Sequence, residues 1–281
     1  MQILPGNKIA DQILEGIKSH VSMLAQKPKL GIVLAGENPT SEVYVKLKQE
    51  KAKQCGIESL LIRTSTNIAE IIDSINRLNQ DSSVHGIILQ LPVVGVDASS
   101  ALAAIDPRKD VDGLNPLNLG RIFNNINALA SATPLAVLKA LEYISIYYDS
   151  NLNDYLKGKN TVIINRSILF GKPLAALLLN LNATVTIAHS HTKAISNLTK
   201  NADIIISATG SDINLSDSDV KEGVIIIDAG YRIVNNKAKG DISHQNIQNK
   251  CSWITAVPGG IGPLGVAMLL ENTLKASQST L

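Results

Sequence analysis

The sequence predicts an α/β fold of two three-layer domains with parallel sheets, the second Rossmann-like, with a cleft between them. Three observations predict it. Short β-branched runs alternate with helical stripes, 45% of the 281 residues are apolar, and the alternation lapses once, between Asp106 and Ser131. A chain of this length buries two cores of ordinary size.

Ile9, Ile13, Ile17, Val21 and Leu24 recur every three or four residues and mark a first amphipathic helix. Lys29–Leu34 reads as a strand ending at Gly36. The helix expected over Asn38–Lys53 opens on a cap, Asn38 or Thr40, with Pro39 in its first turn. Ser59–Ile62 and Val84–Leu89 read as further strands, separated by a helix carrying Ile68, Ile71, Ile72, Ile75 and Leu78. Val96–Ile105 suits a short helix, and the turn-rich Asp106–Gly113 marks the first exit from this domain.

Thr133 and Pro134 form a cap and first-turn pair for a helix through Leu135, Leu138, Leu141 and Ile144. Beyond the polar run Asp149–Asn160, strands are expected at 161–164, 183–187, 203–206 and 223–227. The first two enclose a loop, Asn165–Gly171, and a leucine-rich helix with Pro173 in its first turn, which makes one βαβ unit. Such a loop supports an anion site at the helix N-terminus and an ordinary strand-helix connection equally, because only Gly171 remains of a glycine fingerprint. After the glycine-rich Val257–Pro263, a last amphipathic helix is expected to return to the N-terminal domain. The expected domains are therefore 1–131 completed by 263–281, and 132–262.

Composition narrows the function classes. A formal charge of +2, from 26 basic and 24 acidic residues spread along the chain, provides no long-range field for nucleic acid or an anionic membrane. Cys55 and Cys251 are too few for a disulfide framework and point to a reducing compartment. Neither a secretory signal nor an apolar window of transmembrane length is seen, so a cytoplasmic protein is expected.

Several side chains suit chemistry. Tyr44 and Lys48 lie four apart on one helix face, where a desolvated lysine titrates in a working range and a tyrosine stacks on a planar ligand. On spacing alone, an exposed lysine beside a boundary tyrosine is the more ordinary reading. The spacing matches the Tyr-xxx-Lys pair of short-chain dehydrogenases, but here it precedes the dinucleotide loop, which is the wrong order. Gln90 and Asp112 end elements where an open sheet holds ligands, or else cap a strand and brace the turn before Gly113. His189 and His191 flank Ser190 on a loop without companion ligands, so no metal site is expected. No nucleophile elbow or Walker A sequence is present.

Five motifs in order resemble the bifunctional methylenetetrahydrofolate dehydrogenase and methenyltetrahydrofolate cyclohydrolase family. They are Asn38–Lys48, Gly86–Pro92, Lys109–Gly113, Arg166–Ser167 with Gly171–Pro173, and Val257–Pro263. The resemblance implies Lys48 as central catalytic lysine, Tyr44 packing on the folate rings, Gln90 tuning the lysine and Asp112 recognising the pterin edge. It implies NADP, with NAD as the alternative, held around Asn165, Arg166, Ser167, Ser190 and Tyr231. Tetrahydrofolate derivatives are the implied substrates and a homodimer the implied assembly. Asn165 departs from a usual glycine and Phe170 from a smaller aliphatic residue. A loop distorted by them is expected to slow hydride transfer before hydrolysis.

Overall fold

The computed structural model describes residues 1–235 and 237–278. The chain forms two compact units, Asp11–Ala132 with Val266 onward, and Met1–Ala10 with Thr133–Gly265. The last three residues of the expected C-terminal helix, 279–281, lie outside the described residues.

In chain order the elements begin with strand β1 (Gln2–Leu4), helix α1 (Gly6–Ser22), β2 (Lys29–Ala35) and α2 (Pro39–Gln54). They continue with β3 (Glu58–Thr64), α3 (Ile68–Gln80), β4 (Gly86–Leu89), α4 (Ser99–Ala104) and α5 (Pro116–Phe123). The unit of residues 11–132 holds a parallel sheet in the order β3-β2-β4, the expected alternation. Its core gathers Val33 and Ala35 of β2, Ile71, Ile75 and Leu78 of α3, and Ile87 and Leu89 of β4. Ile75 and Ile87 are wholly removed from solvent, the burial that drives the helix onto the sheet.

Helix α5 falls in the stretch read as unpatterned. Asn115 caps it, with its side chain accepting from Leu117 N at 2.8 Å, and Pro116 follows at the first position. The turn Asp106–Gly113 stays within this unit, since Ile87 forms a parallel bridge with Asp110. The C-terminal helix belongs here too: Asn272 Nδ2 donates to Val111 O at 2.9 Å and to Ala130 O at 2.8 Å.

The second unit carries α6 (Ala132–Tyr147), α7 (Leu152–Leu156), β5 (Asn160–Ile164), α8 (Gly171–Asn180), β6 (Thr184–Ala188), α9 (Ile195–Thr199) and β7 (Ile204–Ser207). It continues through β8 (Val224–Asp228), β9 (Arg232–Val234), β10 (Lys237–Lys239) and β11 (Cys251–Thr255), and α10 spans Ile261–Gln278. Helix α6 starts at Ala132, so Thr133 lies inside the first turn and not ahead of it. The six-stranded sheet has the order β1-β11-β8-β7-β5-β6, and its neighbours are parallel throughout. All four strands expected from β-branched runs are present within a residue or two. Strands β1 and β11 were not expected. Strands β9 and β10 form a separate antiparallel pair.

Candidate active site and dinucleotide site

Helix α2 presents the first group of candidate residues. Asn38 is its cap, with Oδ1 accepting from Thr40 N at 3.0 Å and Ser41 N at 3.2 Å, and Thr40 is inside the helix. Lys48 sits three turns on, and its Nζ donates to Gln90 Oε1 at 3.0 Å. Lys48 is half-buried. Desolvation therefore pulls its pKa below the ordinary lysine value, and the charge of nearby Asp112 opposes the fall.

Gln90 is held on both sides. Its backbone N–H donates to Val33 O at 2.9 Å, extending β4 along β2, and Nε2 donates to Leu91 O at 2.7 Å. That second bond turns Oε1 toward Lys48. An amide oxygen accepts from an amine in either protonation state, so it positions the lysine without adding the negative charge that would keep it protonated. Tyr44, one turn before Lys48, keeps 39% of its surface exposed, enough for a planar ligand to cover.

The bridge between Ile87 and Asp110 carries the chain beside β4, so Asp112 arrives at the sheet end that bears Gln90. The turn there is braced by Asp110 and not by Asp112. Asp110 accepts from Leu114 N at 3.2 Å, Asn115 N at 2.8 Å and Asn118 Nδ2 at 3.0 Å. Burial pushes its carboxyl up to about 6 in spite of these donors. Gly113 must be glycine: its φ is +65°, and a Cβ would meet the backbone of Ala130 and Ser131 at 2.3 Å. Lys48, Gln90 and Asp112 are thus brought together within one unit, with Tyr44 on the same helix.

The second group lies at the carboxyl ends of β5, β6 and β8. Strand β5 has β6 on one side and β7 on the other, so the chain reverses its direction of travel across the sheet at β5. Open α/β sheets hold ligands in the crevice at such a reversal. Asn165 follows β5 and Ala208 follows β7, and Asn165 Nδ2 donates to Ala208 O at 2.5 Å across this position. Asn165 Oδ1 accepts from Ser167 N and Ser167 Oγ, each at 2.8 Å, and from Gly171 N at 3.1 Å.

Asn165 and Phe170 both lie within this loop, Phe170 with φ −141° and ψ −68° just ahead of α8. The asparagine ties it together, and Phe170 is 5% exposed within the core. Arg166 and Ser190 are exposed at neighbouring strand ends, and Tyr231 is 51% exposed after β8. His189 Nδ1 accepts from His191 N at 3.2 Å. Desolvation, then the charges of Arg166 and His191, hold the His189 pKa below its usual value. An exposed arginine beside hydroxyls and backbone donors suits a phosphate-bearing ligand.

Two carboxylates were missed in the sequence. Asp241 Oδ2 accepts from Ser207 Oγ at 2.6 Å, Thr209 N at 2.6 Å and Thr209 Oγ1 at 2.9 Å, which ties the loop after β7 to the segment after β10. Asp228 Oδ1 accepts from Gly230 N and Oδ2 from Ile242 N, each at 2.9 Å. Glycine is required at both crossings. A Cβ on Gly230 would lie 2.1 Å from Asp241, and one on Gly240 would lie 2.1 Å from Asp228. The pairing of Asp-x-Gly at 228–230 with Gly-Asp at 240–241 is the signal that marks them in sequence.

Residues 4–112 match the catalytic-domain model of tetrahydrofolate dehydrogenase/cyclohydrolase, and residues 131–281 match its NAD(P)-binding-domain model. The chain belongs to the tetrahydrofolate dehydrogenase/cyclohydrolase family. The bifunctional protein FolD of Rickettsia typhi is 43% identical over 287 residues, which cover 99% of this chain and 98% of that protein. The solved bifunctional FolD enzyme of Campylobacter jejuni is 39% identical with a TM-score of 0.93, covering 100% of both chains. The dehydrogenase-cyclohydrolase of Trypanosoma brucei, solved with NADP cofactor and inhibitor, is 30% identical with a TM-score of 0.89, covering 98% of this chain and 97% of that one. Membership gives the Rossmann-like unit a nucleotide-binding purpose that its loop alone left open.

Proposed function

We propose that this protein oxidises 5,10-methylenetetrahydrofolate to 5,10-methenyltetrahydrofolate with NADP and hydrolyses the product to 10-formyltetrahydrofolate. The observation that carries this reading is Lys48 held by Gln90 in surroundings that disfavour its charged form, in a member of a dehydrogenase/cyclohydrolase family. Bound NADP supplies the hydride acceptor. The loop fits it through the exposed Arg166 and the exposed Ser190 hydroxyl. Asn165, Arg166, Ser167, Ser190 and Tyr231 would line the dinucleotide.

Tyr44 covers one face of the folate ring system, and Asp112 accepts from the amino and ring N–H groups of the pterin edge. Loss of hydride from the one-carbon bridge leaves a cation. A neutral Lys48 amine takes a proton from the attacking water, and the return of that proton to the ring nitrogen accompanies cleavage of the carbon–nitrogen bond. An uncharged amine also avoids repelling the cationic substrate. We further place the protein in the cytoplasm as a homodimer, where its product serves purine biosynthesis.

The purified protein tests this reading when methenyltetrahydrofolate absorbance is followed with NADP and NAD supplied separately. Formation that depends on NADP, followed by decay to the formyl product, is expected. Formation with NAD alone would reassign the cofactor, and accumulation without catalysed decay would remove the hydrolase activity.

A further inference from the structure

Asn165 occupies the place in the second unit where a dinucleotide's phosphates would seek donors. Its Oδ1 already accepts from Ser167 N, Ser167 Oγ and Gly171 N, at 2.8, 2.8 and 3.1 Å. Each backbone N–H carries one hydrogen, and an anion at the start of α8 competes with that oxygen for it. The side chain is anchored at its other end as well, because Nδ2 donates to Ala208 O at 2.5 Å on the opposite wall of the β5–β7 crevice. Rotating it out of the way abandons four hydrogen bonds together.

The geometry points to Asn165 as an internal competitor for the cofactor's phosphate oxygens, one that sets the affinity of this chain for its dinucleotide. This rests on the NADP reading above. Its carbonyl oxygen holds donors that an anionic ligand would seek, and its amide ties the loop after β5 to the loop after β7. The residue thus exchanges cofactor affinity for a loop that is already closed. Removing the side chain frees three donors at the price of the Ala208 tie.

Asn165→Gly and Asn165→Ala are compared with the unaltered protein by calorimetric titration with NADP, with thermal melts run in parallel without ligand. Both variants are expected to bind NADP about tenfold more tightly, the worth of roughly one regained hydrogen bond to a charged group, while melting at a lower temperature. Asn165→Asp keeps the acceptor, adds a negative charge, and is expected to bind more weakly. If the folded Gly and Ala variants bind NADP no better than the unaltered protein, and that protein turns NADP over, the competitor role fails and the cofactor assignment stands. Failure of both variants to fold makes Asn165 a scaffold residue and also overturns the role. If the unaltered protein binds and uses no NADP, the cofactor assignment falls and the inference with it.

Discussion

Lys48 Nζ donates to Gln90 Oε1 at 3.0 Å across 42 residues of sequence, joining the third turn of α2 to the end of β4. The bond fixes the amine at a sheet end. Lys48→Met removes the proton acceptor and is expected to lower methenyltetrahydrofolate hydrolysis by at least about a hundredfold, within the usual range for a lost acid-base group. Hydrolysis at near-normal rate would remove Lys48 from the mechanism.

The pH dependence follows from the same pair. Desolvation lowers the Lys48 pKa and Asp112 partly offsets this, so the amine becomes neutral at a lower pH than an exposed lysine does. A neutral base is active above its pKa and lost below it. The hydrolysis rate is therefore expected to rise with pH along a limb set below the ordinary lysine value of about 10.4. Gln90→Glu places a carboxylate on Nζ and should move that limb to higher pH, whereas Asp112→Asn should move it lower. Profiles of kcat against pH for the three proteins check the order, and identical limbs would detach Lys48 from the titration.

Asp110 gives a stability prediction of its own. Its carboxyl is raised from 3.8 to about 6, so the folded protein binds this proton more tightly than the unfolded chain does. The sign is then fixed: this group's contribution to stability grows as pH falls from about 7 toward 4, and it is lost as pH rises through 6. The displacement is worth about 3 kcal/mol at most. Asp110→Asn cannot titrate and presents an amide to donors that need an acceptor. Denaturant midpoints at pH 7 and pH 5 should therefore show a larger deficit for the variant at pH 5. An equal deficit at both values would mean that Asp110 titrates as it does in the unfolded chain.

The alternating strands and helices were legible because their cause is local. Ile163 and Ile205 lie in β-branched runs whose only stable use is a buried parallel strand, and Ile71 and Ile75 repeat at helical spacing. Strand β1 was illegible since it has three residues and pairs with β11, whose Cys251-Ser252-Trp253 start carries no alternation. Helix α5 escaped because Gly120 and its polar neighbours blur the stripe, although Asn115 and Pro116 announced its start. Tyr44 and Lys48 share a face by spacing alone. The meeting of Lys48 with Gln90 is a tertiary fact, and only family resemblance anticipated it. The contact of Asp241 with Ser207, across 34 residues, is tertiary as well, and nothing anticipated it.

Asp241 supplies the last prediction. Its Oδ2 gathers the hydroxyls of Ser207 and Thr209 and the Thr209 N–H within the nucleotide unit, all beside the Ala208 carbonyl that Asn165 holds. Asp241→Ala leaves the buried Ser207 hydroxyl without its acceptor, a loss of about 1–3 kcal/mol for such a group. The segment after β7 then loses its tie to the segment after β10. Because both flank the crevice proposed for NADP, the KM for NADP is expected to rise several-fold, while hydrolysis of supplied methenyltetrahydrofolate, carried by Lys48 in the other unit, keeps its rate. Steady-state kinetics of both half-reactions in the variant separate the two effects. A parallel fall in both activities would show that Asp241 supports folding alone, and an unchanged KM for NADP would show that the loop after β7 takes no part in holding the cofactor.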